Sequence, residues 1–116
     1  MGGEGRVDAT NGDEIDVNSW AGGRGQAIDH FRRHGQDFGA GTVQEYVRRA
    51  VEFYWRADRS RLPAKIDPLD GTIRIYERRT NTFGAYTSDG RPITFHRPAT
   101  GVRYWTRQPG VSKRGP

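Results

Sequence analysis

Residues 42–54 read TVQEYVRRAVEFY and carry the strongest periodic signal in the chain. Apolar side chains recur there at the i, i+3, i+4, i+7 spacing of one buried helical stripe, which comprises Val43, Tyr46, Val47, Ala50, Val51 and Tyr54. Thr42 and Glu45 form a T-x-x-E capping box, in which each side chain is placed to satisfy a backbone N–H of the first turn. We therefore predict an amphipathic helix that begins at Thr42.

A second, shorter helix is predicted upstream, over residues 26–34. This stretch contains no Gly or Pro, its apolar residues lie at helical intervals, and it stops at Gly35, the residue type expected after a helix C-terminus. Downstream, the apolar period changes from 3.6 to 2, which predicts strands at residues 72–76, 82–87 and 93–96 and allows a fourth at 102–106.

The order of these elements predicts an α+β fold. We expect the N-terminal helix pair to pack on one face of a twisted antiparallel sheet of about four strands, with the other face open to solvent. The Asp89-Gly90 dipeptide is a strong hairpin signal between the second and third predicted strands.

Length and composition limit the function classes. The chain has 116 residues, 16 Gly, 6 Pro and no Cys, so we expect one small domain without disulfides, thiolate metal sites or a cysteine nucleophile. No apolar run approaches the roughly 18 to 20 residues that cross a bilayer, and residues 1–25 lack the basic-then-apolar pattern of a signal peptide. We expect a soluble chain with a Gly-rich linker or flexible arm (1–25), a folded domain (26–110) and a flexible tail (111–116). Trp20 is the exception in the arm, since a lone Trp either docks on the domain or stays free.

The charge distribution favours a polyanionic partner. The net charge is +5, and because residues 1–25 carry five acidic and two basic side chains, a net of −3, residues 26–116 carry +8. Nearly all the basic side chains are Arg, whose planar fork matches phosphate and stacks on bases. A GC-rich genome also raises the Arg content, so composition leaves a codon-bias explanation open.

Two sets of residues are candidates for chemistry. If Ile73 and Ile75 face the helices, and Ile93 and Phe95 of the third predicted strand do so too, alternation places Arg74, Thr94 and His96 together on the outer face. A cation, a hydroxyl and a titratable group there fit a phosphate site, and the alternative is a solvated polar face.

His30 and His34 are the second set, four residues apart on one side of the first helix. Such a pair can hold a metal, but the H-E-x-x-H motif is absent and no third ligand is marked out. The histidines can otherwise act as general acid or base, or interact with the helix C-terminus. The sequence leaves these alternatives open.

The segments together resemble a known family. In order along the chain they read HFRRHGQDFG (30–39), TNTFG (80–84), DG (89–90), ITFHRP (93–98) and YW (104–105). This series resembles the C-terminal toxin domains of bacterial contact-dependent inhibition and polymorphic toxin systems, which are tRNA-cleaving enzymes of the barnase, EndoU, colicin and RelE-like ribonuclease superfamily.

The resemblance implies a biological setting as well as an activity. It implies metal-independent RNA cleavage by residues 26–110 without a cofactor, a cognate, acidic immunity protein, and in some systems a host activating factor. It also implies export as the C-terminal part of a larger effector and action in the cytoplasm of the target cell, with no membrane binding by the domain itself.

Cleavage through the ribose 2′-OH needs a base, an acid and donors to the phosphoryl oxygens. The candidate catalytic residues are His30, His34, Arg74, Thr94, His96 and Tyr104. The candidate RNA-binding residues are Arg78, Arg79, Arg97, Arg103 and Trp105. Which histidine is the acid and which the base stays open.

Three other functions compete with this one. A non-catalytic RNA-binding module would use the same basic surface, with Tyr76, Tyr86, Tyr104 and Trp105 as stacking platforms. A DNA-cleaving toxin would usually need a divalent metal, and an interaction domain would bind an acidic protein.

Overall fold

The computed structural model describes residues 16–114. Helix α1 spans Arg24–His34, α2 spans Val43–Arg59 and α3 spans Val102–Thr106, and 3-10 helices cover Val17–Ser19 and Gly35–Phe38. Strands β1 (Ala64–Ile66), β2 (Ile73–Glu77), β3 (Thr82–Tyr86), β4 (Pro92–His96) and β5 (Val111–Arg114) form one sheet in the order β4-β3-β2-β1-β5. Every neighbouring pair is antiparallel, so the predicted α+β class is confirmed.

Helix α2 begins where the sequence predicts. The Thr42 side chain accepts a hydrogen bond of 3.1 Å from the Glu45 N–H, and Glu45 Oε1 accepts one of 3.0 Å from the Gly41 N–H. The helix buries Tyr46, Val47, Ala50, Phe53 and Ala57 against the sheet. The buried stripe therefore continues to Ala57, while the predicted Val43, Val51 and Tyr54 are only partly buried at its margin.

The sequence predicts a flexible arm over residues 1–25, but residues 16–23 of that segment pack on the domain. Trp20 is fully buried, with its ring 5.5 Å from that of Tyr46. The Arg91 guanidinium donates hydrogen bonds to the Ser19 and Trp20 carbonyls, at 2.9 and 3.2 Å. Burial of one large aromatic ring thus anchors a segment whose other residues are mostly polar or small. Residues 1–15 of the predicted arm lie outside the described part of the chain.

The three strands predicted at residues 72–76, 82–87 and 93–96 are present as β2, β3 and β4. The Asp89-Gly90 turn joins β3 to β4, and Gly90 has φ +90° with Tyr54 so near that an added Cβ would lie 2.9 Å from its ring. Glycine at this turn is therefore required both by the backbone and by packing.

Segment 102–106 forms helix α3, so the predicted fourth strand is wrong. Gly101, at φ 62°, turns the chain into this helix, and Trp105 stacks on Tyr76 of β2 with ring centroids 5.8 Å apart. Lys65 Nζ donates to the carbonyls of Trp105 and Gln108, at 2.9 and 3.0 Å, at the end of the helix. Tertiary contacts override the strand propensity of this β-branched and aromatic segment, and the sheet face expected to be open is partly covered.

Two strands escaped prediction. Strand β1 has three residues, too few to show alternation, and β5 lies in residues that the sequence interpretation assigned to a flexible tail. Strand β5 pairs with β1, with Ile66 opposite Val111. This pairing orders a segment whose composition alone predicts a flexible tail.

The core has two parts, one on each face of the sheet. The larger lies under α1 and α2 and includes Ile75, Tyr86 and Phe95. The smaller lies under α3 and is formed by Tyr76, Phe83, Ala85 and Trp105. A register shift opposite Ala85 and Tyr86 turns Ile93 toward the smaller cluster, so its predicted position toward the helices is wrong.

Candidate active site

The histidines, two of them on α1 and one on β4, form one cluster. Helix α1 packs along β4, and this brings the His34 ring to 5.0 Å from the His96 ring and 6.2 Å from the His30 ring, between centroids. His30 lies behind His34, 5.3 Å from the Trp20 ring, and its Nδ1 is buried with no hydrogen-bond partner. The pair that faces the sheet surface is therefore His34 and His96.

A carboxylate and two aromatic rings surround this pair. Asp37 Oδ2 lies 3.9 Å from His34 Nδ1 and accepts a hydrogen bond of 3.2 Å from the Arg97 N–H. On the other side, the Phe83 and Tyr104 rings meet His96 edge-on, with centroids 5.6 and 5.2 Å away. Asp37 thus favours the protonated form of His34, while rings bound the space around His96.

Burial lowers the pKa of all three imidazoles below the usual value of 6.5. His96 is affected most: burial, and then the neighbouring charge of His34, lower its pKa to about 4. For His34, burial and then Arg33 lower the pKa, and Asp37 partly opposes this shift. Near neutral pH, His96 is therefore an unprotonated imidazole that can accept a proton.

The same shifts predict that the fold loses stability in mild acid. Because the unfolded chain binds protons on these histidines at a higher pH than the folded chain does, the free energy of unfolding should decrease as the pH falls below 6.5. Urea unfolding at about pH 7 and about pH 5.5, above the range in which carboxylates titrate, measures this change. His96→Phe, which keeps an aromatic ring against Phe83 and Tyr104, should show a smaller decrease; an equal decrease in both proteins would contradict the assignment.

A groove with a volume of about 360 Å³ adjoins the histidine pair on the α3 side of the sheet. Arg74, Thr94 and Tyr104 line it, and the pairing of Arg74 with Ala85 and of Ala85 with Thr94 places the first two in one cross-strand row. His96 lies in the next row, opposite Phe83. The predicted alignment of Arg74, Thr94 and His96 on one face is therefore present in the structure.

The Arg74 side chain is held by contacts that a side chain on an open, solvated polar face would not have. Its Nη1 lies 3.1 Å from Asp67 Oδ2 and 3.2 Å from the Pro109 carbonyl, and the side chain is mostly buried. The Arg74 guanidinium is therefore held in a fixed position at the groove wall, paired with Asp67, and Asp70 also lines the groove.

The candidate RNA-binding residues separate into exposed and buried ones. Arg78 and Arg79 are exposed in the turn between β2 and β3, Arg103 is exposed on α3, and Arg97 lies over the Phe38 ring at 4.9 Å. Trp105 is buried against Tyr76 and Lys65, so its assignment as an RNA-binding residue is wrong.

Two of the proposed stacking platforms are also buried. Tyr76 and Tyr86 are 2% and 0% exposed, and the Tyr86 hydroxyl donates to the Ala50 carbonyl at 2.6 Å. These tyrosines belong to the core.

The sequence assigned no role to Asp37. Its position three residues after His34 was the signal that could have placed its carboxylate beside that imidazole. The sequence also assigned no binding role to three arginines of α2, because their spacing shows only that they lie on the polar side of the helix; these are Arg49, Arg56 and Arg59. They meet the sheet only in the folded chain.

Neither a metal site nor a membrane span is found among residues 16–114. No group of three or more His, Cys, Asp and Glu side chains there could hold a metal ion, and no helix is long and apolar enough to cross a membrane. Comparison of the chain with protein-family models and with curated proteins gives no match.

Proposed function

We propose that this chain is an endoribonuclease domain that cleaves tRNA by attack of a ribose 2′-OH on the adjacent phosphorus. The observation that carries the proposal is the His34–His96 pair, 5.0 Å apart between ring centroids, beside a groove whose lining includes the Arg74 guanidinium and the hydroxyl groups of Thr94 and Tyr104. Of two imidazoles on either side of a phosphate, one can accept the proton of the 2′-OH and the other can donate a proton to the leaving oxygen.

The reaction needs two proton transfers and charge stabilisation. The O2′–P bond forms as the 2′-OH loses its proton, and the P–O5′ bond breaks as the departing oxygen gains one, which leaves a 2′,3′-cyclic phosphate and a 5′-OH. Negative charge grows on the non-bridging oxygens between these events, and fixed donors stabilise it.

The environments of the side chains support an assignment of roles. His96, with its strongly lowered pKa, is the proposed base for the 2′-OH. His34, beside Asp37, is the proposed acid for the leaving oxygen. Thr94 and Tyr104 are the proposed hydroxyl donors, and Arg74 contributes charge from its ion pair with Asp67. His30 is a positioning residue behind His34 in this proposal.

The sequence motifs and the architecture support the proposed kinship with contact-dependent inhibition and polymorphic toxins. A helix pair on one face of an antiparallel sheet is compatible with the barnase, colicin and RelE-like arrangement. Within this proposal the partners are tRNA and an acidic immunity protein, and the domain is delivered as the C-terminal part of a larger effector into the cytoplasm of the target cell.

Incubation of the purified chain with total bacterial tRNA in EDTA tests the proposed reaction. We expect discrete fragments on a denaturing gel, with 2′,3′-cyclic phosphate ends in an end-group analysis, because the proposed proton transfers use side chains alone. The matched control is the same digest with added Mg²⁺, which should give the same fragments.

Two results would favour the competing functions. Fragments that form only with Mg²⁺ would indicate a metal-dependent nuclease. Intact tRNA that is nevertheless bound in a salt-dependent manner would favour a non-catalytic RNA-binding module.

A further inference from the structure

A second groove lies on the helix side of the sheet and has no role in the proposed reaction. It has a volume of about 470 Å³ and runs between α2 and the ends of β2, β3 and β4. We call it the arginine groove, because its lining includes Arg49, Arg56, Arg59 and Arg97. Two acidic residues, Glu52 and Glu77, also line it, so these six side chains carry a net charge of +2.

The acidic side chains of the arginine groove are already engaged. Both Glu77 oxygens accept hydrogen bonds of 3.1 Å from Arg56, and one accepts a bond of 2.7 Å from the Thr80 hydroxyl. Glu52 lies 3.6 Å from Arg48, outside the groove. The negative charges therefore leave a positive excess for a ligand.

Two arginines are available to supply that excess. Within residues 16–114, no carboxylate lies within 4.0 Å of the guanidinium of Arg59 or Arg97. Both side chains belong to exposed residues. An arginine fork of this kind binds phosphate in a bidentate manner.

Aromatic rings form the floor of the arginine groove. Phe38 and Phe95 are stacked with centroids 4.0 Å apart, and the Arg97 guanidinium lies over Phe38 at 4.9 Å. Phe53 lies under Arg56 at 5.4 Å. Phe53 and Phe95 are buried, at 4% and 2% exposed, so the flat surface that is open to a base is the Arg97 guanidinium above Phe38. Bases of single-stranded nucleic acid stack on such guanidinium planes.

The arginine groove and the histidine pair share one strand end. Arg97 follows His96 directly, and successive residues of a strand point to opposite faces of the sheet. Asp37 joins the two places, because the oxygen that lies 3.9 Å from His34 Nδ1 also accepts the Arg97 N–H. A chain bound at the histidines reaches Arg97 by passing around the end of β4.

We propose that the arginine groove binds the backbone of single-stranded RNA, as a phosphate subsite that continues the strand held at the His34–His96 pair. The inference rests on the proposed function for the identity of the ligand as the nuclease substrate. An acidic protein would also meet the positive charge, but it has no bases to stack on the Arg97 guanidinium that lies over Phe38, so RNA is the ligand that the groove fits better.

Salt-dependent binding of an uncleavable RNA tests this subsite. The probe is a mixed-sequence single strand on the order of 12 nucleotides, 2′-O-methylated throughout so that the attacking hydroxyl is blocked. We expect the Arg59→Gln/Arg97→Gln double variant to bind about ten- to a hundredfold more weakly at low salt, and the slope of log K against log salt to decrease by about 1.4, at about 0.7 per lost phosphate contact.

Two further variants separate the subsite from net charge and from misfolding. Arg24→Gln/Arg32→Gln removes the same charge from exposed positions on α1 and should keep the slope of the parent chain. Arg59→Lys/Arg97→Lys keeps the charge and should restore most of the lost slope.

The outcomes also distinguish this inference from the proposed function. Equal slopes for the groove variant and the α1 variant would overturn the subsite, even if the parent chain cuts unmodified tRNA. A reduced slope in the groove variant, with no cleavage of tRNA by the parent chain, would retain the RNA subsite and reject the nuclease. Tighter binding of polyglutamate than of RNA, lost in the groove variant, would identify an acidic-protein site and overturn the inference.

Discussion

Replacement of His96 by alanine is expected to lower the rate of tRNA cleavage by about 100-fold or more, since this is the usual contribution of a general base. The neutral imidazole of His96 lies next to His34 and beside the groove of Arg74, Thr94 and Tyr104. The measurement is the single-turnover rate at saturating enzyme, on a tRNA that the parent chain cuts.

The pH dependence of kcat/KM adds a readout that a purely structural role would not change. In the parent chain we expect a bell-shaped profile whose acidic limb lies near the pKa of His96, about 4, and whose alkaline limb lies below 6.5. His96→Gln should remove the acidic limb, and His34→Gln the alkaline one.

The matched control for these variants is Gln36→Ala, an exposed side chain close to the pair, which should leave the rate within about twofold. If His96→Ala also stays within about twofold while remaining folded by circular dichroism, the histidine pair is not the site of proton transfer.

Replacement of Trp20 by alanine is expected to lower the free energy of unfolding by about 3–5 kcal/mol, the usual cost of truncating a buried aromatic side chain. Trp20 is 0% exposed and lies between the rings of Tyr46 and His30, at 5.5 and 5.3 Å. Equilibrium unfolding in urea, followed by far-UV circular dichroism, measures the loss.

Trp55→Ala provides the matched comparison, because this tryptophan on α2 is 67% exposed. Its replacement should change the free energy of unfolding by no more than about 0.5 kcal/mol. A loss below about 1 kcal/mol for Trp20→Ala would mean that residues 16–23 are not part of the folded unit.

Local patterns predicted the parts of the fold that local physics determines. The capping box and apolar stripe of α2, the glycine end of α1 and the Asp89-Gly90 turn are each set by residues a few positions apart. Helix α3 could not be recognised in this way, because Val102 to Trp105 have strand-like side chains and Trp105 is held by Tyr76, almost thirty residues earlier.

The candidate site was partly predictable for the same reason. Alternation along β2 and β4 was sufficient to align Arg74, Thr94 and His96. Their approach to His34 depends on how α1 lies along β4, and no pattern within either segment encodes that packing. The arginine groove was even less predictable from the sequence, because α2 and the end of β4, which are far apart along the chain, both contribute to it.

The pairing of β1 with β5 has a consequence for the order of assembly. Strands β2, β3 and β4 are joined by short turns, whereas β1 and β5 meet across more than forty intervening residues, so closure of that loop costs more chain entropy. Contacts of such high sequence separation form late. We therefore expect strand β5, with Val111 65% exposed, to be the last strand to join the sheet and its amides to be the first to exchange with solvent without global opening.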